Sequence, residues 1–351
     1  MKPRRDTLCR RGRSRPCSVV MLCLLLSGCM GGALPQRGLD GQGTTVLALV
    51  QNHSGITPWR RDDLSVTPGD VDVIPLVSYD FAQACWVPGG WYDGTIEVPA
   101  SAGPRQPLSV YWASVANMAL RCPWHPAIEV SDLAMVSYED TGVPDELMAP
   151  HVRGRLSASW TGECALLVTN AANGSRQPRC LELQADDVLH SAVLRVGTKG
   201  IRKAAAKFAR DPLGEQLGFG PCTEQPVLVS SAVCFKLTDR RDGLWVALTQ
   251  EFTSANDAES STADAALTAY YYAIVALSGG DGMSVLWEEC SFDDIGNLGT
   301  FFRFLGAADI NGDGRAEVAL QRYFYERSIY EVYELSGKGM TCVAEAYDVG
   351  L

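Results

Sequence analysis

Short apolar runs separated by polar breaks dominate the chain from residue 46 to about residue 183. Residues 71–77 (VDVIPLV), 108–112 (LSVYW) and 165–169 (ALLVT) are rich in β-branched and aromatic side chains, with Pro, Gly, Asp and Asn between such runs. This texture predicts short antiparallel strands, because branched and aromatic side chains pack on a pleated surface while Pro and Gly interrupt its ladder. A helical period is clearest over residues 199–210, where Ile201, Ala204, Ala205 and Phe208 share a face and Asp211-Pro212 ends the run. Its five bases (Lys199, Arg202, Lys203, Lys207, Arg210) read as a solvated face opposite that apolar stripe. The pattern predicts a mostly β protein: an antiparallel β domain over residues 46–185, a helical connector within 186–227, and further strands from 228 to 351.

The distal third repeats itself. Residues 268–289 and 328–346 each read as strand, glycine turn and strand. Leu277-Ser278-Gly279 matches Leu335-Ser336-Gly337 at an offset of 58 residues, and Gly282-Met283-Ser284 matches Gly339-Met340-Thr341. Upstream, residues 239–246 correspond to residues 309–318 at a longer offset, because the polar stretch 253–265 is inserted in the first copy. Two four-stranded units follow, roughly 228–290 and 298–347. A unit of this size resembles a propeller blade, which buries its faces only by stacking on a neighbour, although two copies do not close a ring.

One segment carries chemistry. Asp309, Asn311, Asp313 and Glu317 place oxygen side chains at loop positions 1, 3, 5 and 9, with Gly314 at position 6 for the sharp turn. A hard divalent cation takes six to eight oxygens, and alternating side chains on a tight loop converge on one centre, with Arg315 lending its backbone carbonyl. Position 12 is Leu320, inside the strand-like residues 317–325, so an EF-hand with its following helix is disfavoured. The segment resembles the calcium loops of the integrin-type FG-GAP repeat, closely over about 50 residues and in degraded form over about 120. Glu317 stands where that family has Asp, and the FG-GAP signature is reduced to Phe304-Leu305-Gly306-Ala307. The resemblance implies a structural calcium ion held by Asp309, Asn311, Asp313, Arg315 and Glu317. The equivalent stretch of the first unit has Arg241 where the middle ligand would be, and is expected to be metal-free.

The N-terminus suggests an address. Seven bases within residues 1–28 precede the apolar run 19–26, which is far shorter than the roughly 20 residues needed to span a bilayer. Leu26-Ser27-Gly28-Cys29 resembles the lipobox of bacterial lipoproteins. That resemblance implies a signal peptide over 1–28, lipidation of Cys29, a Gly-rich tether over 29–45 and a place on the cell envelope, with Met30 favouring the outer membrane. The membrane, through Cys29, is therefore an expected partner. The full chain carries a net charge of −11, and removing the leader, which contributes seven bases and Asp6, leaves −17. A surface this acidic argues against a broad nucleic-acid interface.

Eight cysteines follow Cys29, an even number without C-x-x-C spacing, which in an exported protein reads as disulfides. Their spacing suggests sequential pairing: Cys85–Cys122, Cys164–Cys180, Cys222–Cys234 and Cys290–Cys342. The chain has no G-x-S-x-G elbow, H-E-x-x-H or Walker loop, and His53, His125, His151 and His190 are scattered. His125 lies in Cys122-Pro123-Trp124-His125-Pro126, which reads as a rigid turn. The function expected is a lipid-anchored binding or scaffolding module for a protein or glycan ligand. Two alternatives stand beside it. Aromatic residues crowd the first domain (Tyr79, Trp86, Trp91, Tyr92, Tyr111, Trp112, Trp124, Trp160) and suit glycan stacking, while acid pairs such as Asp186-Asp187 and Asp293-Asp294 suit a polysaccharide hydrolase only if carboxylates face each other across a cleft.

Overall fold

The computed structural model describes residues 44–52, 64–82, 84–88, 118–135, 152–162, 164–171, 176–212, 222–254, 266–278, 282–293, 299–324, 327–336 and 339–348. The leader, Cys29 and almost all of the tether lie outside them, as do His53, His151, Trp91, Tyr92, Tyr111 and Trp112 and most of the 253–265 insertion.

The described chain is mostly antiparallel β. Strands β1 (Thr44–Asn52), β2 (Gly69–Asp80), β4 (Leu120–Arg121), β5 (Glu129–Met135), β6 (Val152–Leu156) and β7 (Leu166–Thr169) form a closed six-stranded barrel in the order β1-β7-β4-β5-β6-β2, with β2 returning to β1. The short β3 (Cys85–Pro88) adds to the outer end of β2. Long apolar runs in β1 and β7 are explained by what lies on both sides of them. Val46, Ala48 and Val50 of β1 and Leu166 and Val168 of β7 point into the barrel. Their alternate neighbours Leu47, Leu49, Ala165 and Leu167 point outward and are buried as well. A strand alternates its side chains between faces, so burial on both faces removes the polar alternation that a one-sided sheet would show.

What covers the barrel is a four-stranded meander, β14 (Phe301–Ala308), β15 (Glu317–Phe324), β16 (Arg327–Ser336) and β17 (Gly339–Asp348). Leu305, Ala308, Ala319, Tyr330 and Val332 pack on the barrel. The opposite face, with Phe304, Val318, Leu320 and Tyr333, packs on a second meander, β10 (Leu228–Thr238), β11 (Arg241–Ser254), β12 (Ala266–Leu277) and β13 (Met283–Asp293). Two further short strands join that second sheet: β8 (Arg179–Cys180) pairs with β10, and β9 (Cys222–Glu224) pairs with the far end of β11. Thus β8, at the end of the stretch read as the first β domain, belongs to the distal sheet. The layers run barrel, meander, meander, helix, and the two four-stranded units lie face to face.

The helix, α1 (Val188–Phe208), begins eleven residues earlier than its apolar period suggests. Its first half is rich in Val, Ser, Thr and Gly, which lower intrinsic helix propensity, and packing supplies what propensity does not. Val193 and Ile201 are buried against Leu244, Val246 and Leu248 of β11 and Tyr271 and Ala273 of β12. Two glycines permit this approach: a Cβ on Gly197 would lie 2.7 Å from Leu248 Cδ2, and one on Gly200 would lie 2.1 Å from the Tyr271 ring. Tyr271 cannot give way, since its ring is buried and its hydroxyl donates to Glu288 Oε2 at 2.8 Å. Gly200→Ala should therefore destabilise the fold by about 1–2 kcal/mol, overpacking outweighing the gain in helix propensity. Gly197→Ala should cost less, because a flexible leucine tip can move. Chemical denaturation of the two variants tests that order.

The expected disulfides draw no support from the described residues, and the Cys222 side chain lies outside them. Among the described residues no two cysteines lie at disulfide distance. Strand alternation supplies a reason for the most distal pair. Cys290 packs with the cluster on the helix side of the second sheet, whereas Cys342 lies opposite Tyr333, which packs on that sheet's other side. The segment 122–126 does form the tight turn expected, with His125 N donating to Cys122 O at 3.3 Å, and Trp124 anchors it by donating from Nε1 to Ala307 O of β14 at 3.3 Å.

Candidate functional site

The loop between β14 and β15 carries the predicted ligands. It sits where the three sheets meet: Thr45 Oγ1 of β1 donates to Ile310 O at 2.8 Å, and Ala316 N donates to Leu237 O of β10 at 2.8 Å. Thr238 forms a bridge with Arg315. The loop is wound by its own side chains. Asp309 Oδ1 accepts from Gly312 N at 2.8 Å and Oδ2 from Gly314 N at 3.0 Å. Asn311 Oδ1 accepts from Asp313 N at 3.0 Å, and Asp313 Oδ1 from Arg315 N at 2.8 Å. Gly312 and Gly314 adopt φ of 72° and 81°, a region that favours glycine, as the tight turn at position 6 requires.

Glu317 is the distinctive member. Its side chain is fully buried at 0% exposure; Oε2 accepts from Ile310 N at 2.8 Å, while Oε1 has no hydrogen-bond partner. Burial, with Asp309 and Asp313 adding their negative fields, pushes its pKa up to about 9. Burial likewise raises Asp309, against the pull of the Gly314 and Gly312 N–H groups. A buried carboxyl with an unanswered oxygen beside two acids is a site short of positive charge. Asp313 is more exposed, and its Oδ2 lies 3.9 Å from Arg315 Nε, while Arg315 Nη1 donates to Leu335 O at 3.3 Å. Among the described residues no three His, Cys, Asp or Glu side chains already converge as a metal cage. The donor set nonetheless suits a hard cation, because each carboxylate oxygen keeps a lone pair beyond the one that meets an N–H.

Three neighbours of the loop were not visible in the sequence. Glu334 accepts from Asn311 Nδ2 at 3.4 Å, Thr45 supports the Ile310 carbonyl, and Tyr79 lies in the field of Glu334, Asp313 and Glu317. No local signal marks them; Thr45 and Ile310 are 265 residues apart. Metal-free protein should show the Glu317 proton in its stability. The folded chain holds a proton that the unfolded chain releases, so this contribution is complete below the ordinary value of 4.5 and is lost as pH rises towards about 9. The melting temperature without calcium is expected to fall through that window, and Glu317→Gln is expected to flatten the fall.

A second concavity of about 370 Å³ lies between α1 and the edge strand β13. Lys203 Nζ pairs with Glu288 Oε1 at 3.0 Å, and although burial pushes Glu288 upward, Lys203 and the Tyr271 hydroxyl hold it below the usual carboxylate range. Burial raises the adjacent Glu289 against Arg322 and Lys207, and pushes the Cys290 thiol up to about 12, which leaves it unreactive near neutral pH. Glu288 and Glu289 are neighbours on one strand, with side chains directed to opposite faces, so they are not a pair facing each other across a substrate. The described aromatic rings of the first domain do not form a stacking platform: Tyr79 and Trp86 meet edge to face at 63°, and Trp160 is buried.

Comparison with protein-family models, curated proteins and solved structures finds no match to this chain.

Proposed function

We propose that the protein is a lipid-anchored module of the bacterial cell envelope, whose acidic loop binds a structural calcium ion and so stiffens the junction between barrel and meanders. The observation that carries this reading is Glu317, fully buried with Oε1 unanswered, beside Asp309 and Asp313. Calcium supplies the missing positive charge when bound; Asp309, Asn311 and Glu317 hold it through side-chain oxygens, Arg315 through its carbonyl, and Asp313 by turning inward from its exposed position. The FG-GAP-like reading draws support from the loop's place between two strands of a four-stranded meander that stacks on a second one. The stack ends on a barrel at one side and on α1 at the other, which suits an open pair of blade-like units.

The role that follows is binding or scaffolding, with calcium setting rigidity. One exposed loop of this type binds on the order of 10⁻⁴ to 10⁻³ M, in the range of extracellular calcium. The melting temperature of the full chain should rise on adding millimolar calcium, and that rise should vanish in Asp309→Ala. An unchanged melting temperature in the parent would remove the calcium reading. Lipidation is tested separately, by the mass of the peptide that carries Cys29.

A further inference from the structure

The outer face of α1 is strongly basic in an otherwise acidic chain. Residues 188–210 hold Arg195, Lys199, Arg202, Lys203, Lys207 and Arg210, and no acid. All six are exposed. At about 100° per residue the five within the helix fall in one half of its circumference, away from the buried Val193, Gly197 and Ile201, with Lys203 and Lys207 on the side that borders the concavity against β13. The chain beyond the leader carries −17, so with +6 on this segment the remainder carries −23. Ionic screening over about 8 Å means that a partner touching this face meets the local positive charge rather than the distant negative total. Acids stand at its border: Glu288 paired with Lys203, Glu289 within the field of Lys207, Asp211 after the last turn, and Asp186 and Asp187 before the first.

We infer that this face docks on the anionic headgroup surface of the membrane carrying the lipid anchor; the inference rests on the lipid-anchor reading above. Residues 29–43 would reach at most roughly 50 Å when extended, which keeps the fold close to that leaflet. The face offers long flexible bases and no aromatic side chain, with Ala206 at its centre and Val188 exposed at its start. That composition fits a diffuse negative surface better than a protein partner, whose binding energy concentrates in buried aromatic and Arg anchors. Among the described residues no helix is long and apolar enough to cross a membrane, so α1 would rest on headgroups as a reversible electrostatic contact.

The test is residue-resolved, so that the basic leader does not confuse it. The full chain is exposed to a water-soluble amine-acylating reagent with phosphatidylglycerol-containing vesicles or with purely phosphatidylcholine vesicles, and modification of Lys199, Lys203 and Lys207 is read by mass spectrometry. Several-fold protection is expected on the anionic vesicles only, and it should disappear in high salt. In the triple variant Arg195→Gln, Arg202→Gln, Arg210→Gln, protection of Lys199 should need roughly a hundredfold more lipid. An unchanged melting temperature shows that this variant is folded. Equal labelling on both vesicle types, or protection that survives the triple variant at the same lipid concentration, overturns the inference. Neither result bears on the acyl chain at Cys29, which the peptide mass decides.

Discussion

Trp245→Ala is expected to lower the free energy of unfolding by about 3–5 kcal/mol, the range for truncating a large buried aromatic. Trp245 is 2% exposed and sits at the centre of the seam between the two meanders. Its ring stacks near Tyr272 and Trp287, each with centroids 5.8 Å away, and lies 6.2 Å from Phe304 of the next sheet. Phe304 in turn meets Phe235 at 5.1 Å, so one ring system joins β10, β11, β12, β13 and β14. Removing Trp245 leaves a cavity that neither sheet can close without losing its register. Denaturant titration followed both by fluorescence and by far-ultraviolet dichroism should show one transition, shifted as a whole. A loss below about 1 kcal/mol, or two separated transitions in the parent, would mean that the meanders do not support each other in this way.

The second large effect is expected at Asp309. Alanine there removes the acceptors for Gly312 N and Gly314 N, two hydrogen bonds to a charged group, and should cost about 2 kcal/mol without calcium. With calcium at about 10 mM, the parent should gain a further 1.4–2.7 kcal/mol by mass action at the affinity expected for such a loop, and the variant should gain nothing. Urea unfolding with and without calcium separates the two parts. If Asp309→Ala and the parent respond equally to calcium, the ion binds elsewhere or not at this loop.

The strands at 71–77 and 165–169 were legible as runs of branched side chains ending in turn residues, while the run 108–112 lies outside the described residues; the doubled strand-turn-strand pattern located both meanders, because each hairpin needs only local chemistry. Closure of the barrel was not legible. It depends on β1 meeting both β2 and β7, and Leu47↔Thr169 is a pairing over more than a hundred residues that leaves no local mark. The early start of α1 was hidden because Val193, Val196 and Gly197 lower helix propensity, whereas Gly197 and Gly200 are there to let the helix approach Leu248 and Tyr271. The acidic loop was readable from its spacing, since its winding is local. Its surroundings were not: Tyr79, Thr45 and Glu334 come from distant strands, and the depth at which Glu317 is buried follows from the meeting of three sheets. Cysteine spacing could not fix the pairing, because adjacency in sequence does not decide which face of a strand a thiol occupies.

Equilibrium dialysis of the full chain against calcium at neutral pH tests the central claim most directly. One ion per chain is expected, with a dissociation constant on the order of 10⁻⁴ to 10⁻³ M, absent in Asp309→Ala and weakened in Glu317→Gln. No bound calcium in the parent, or the same bound calcium in Asp309→Ala, would contradict it.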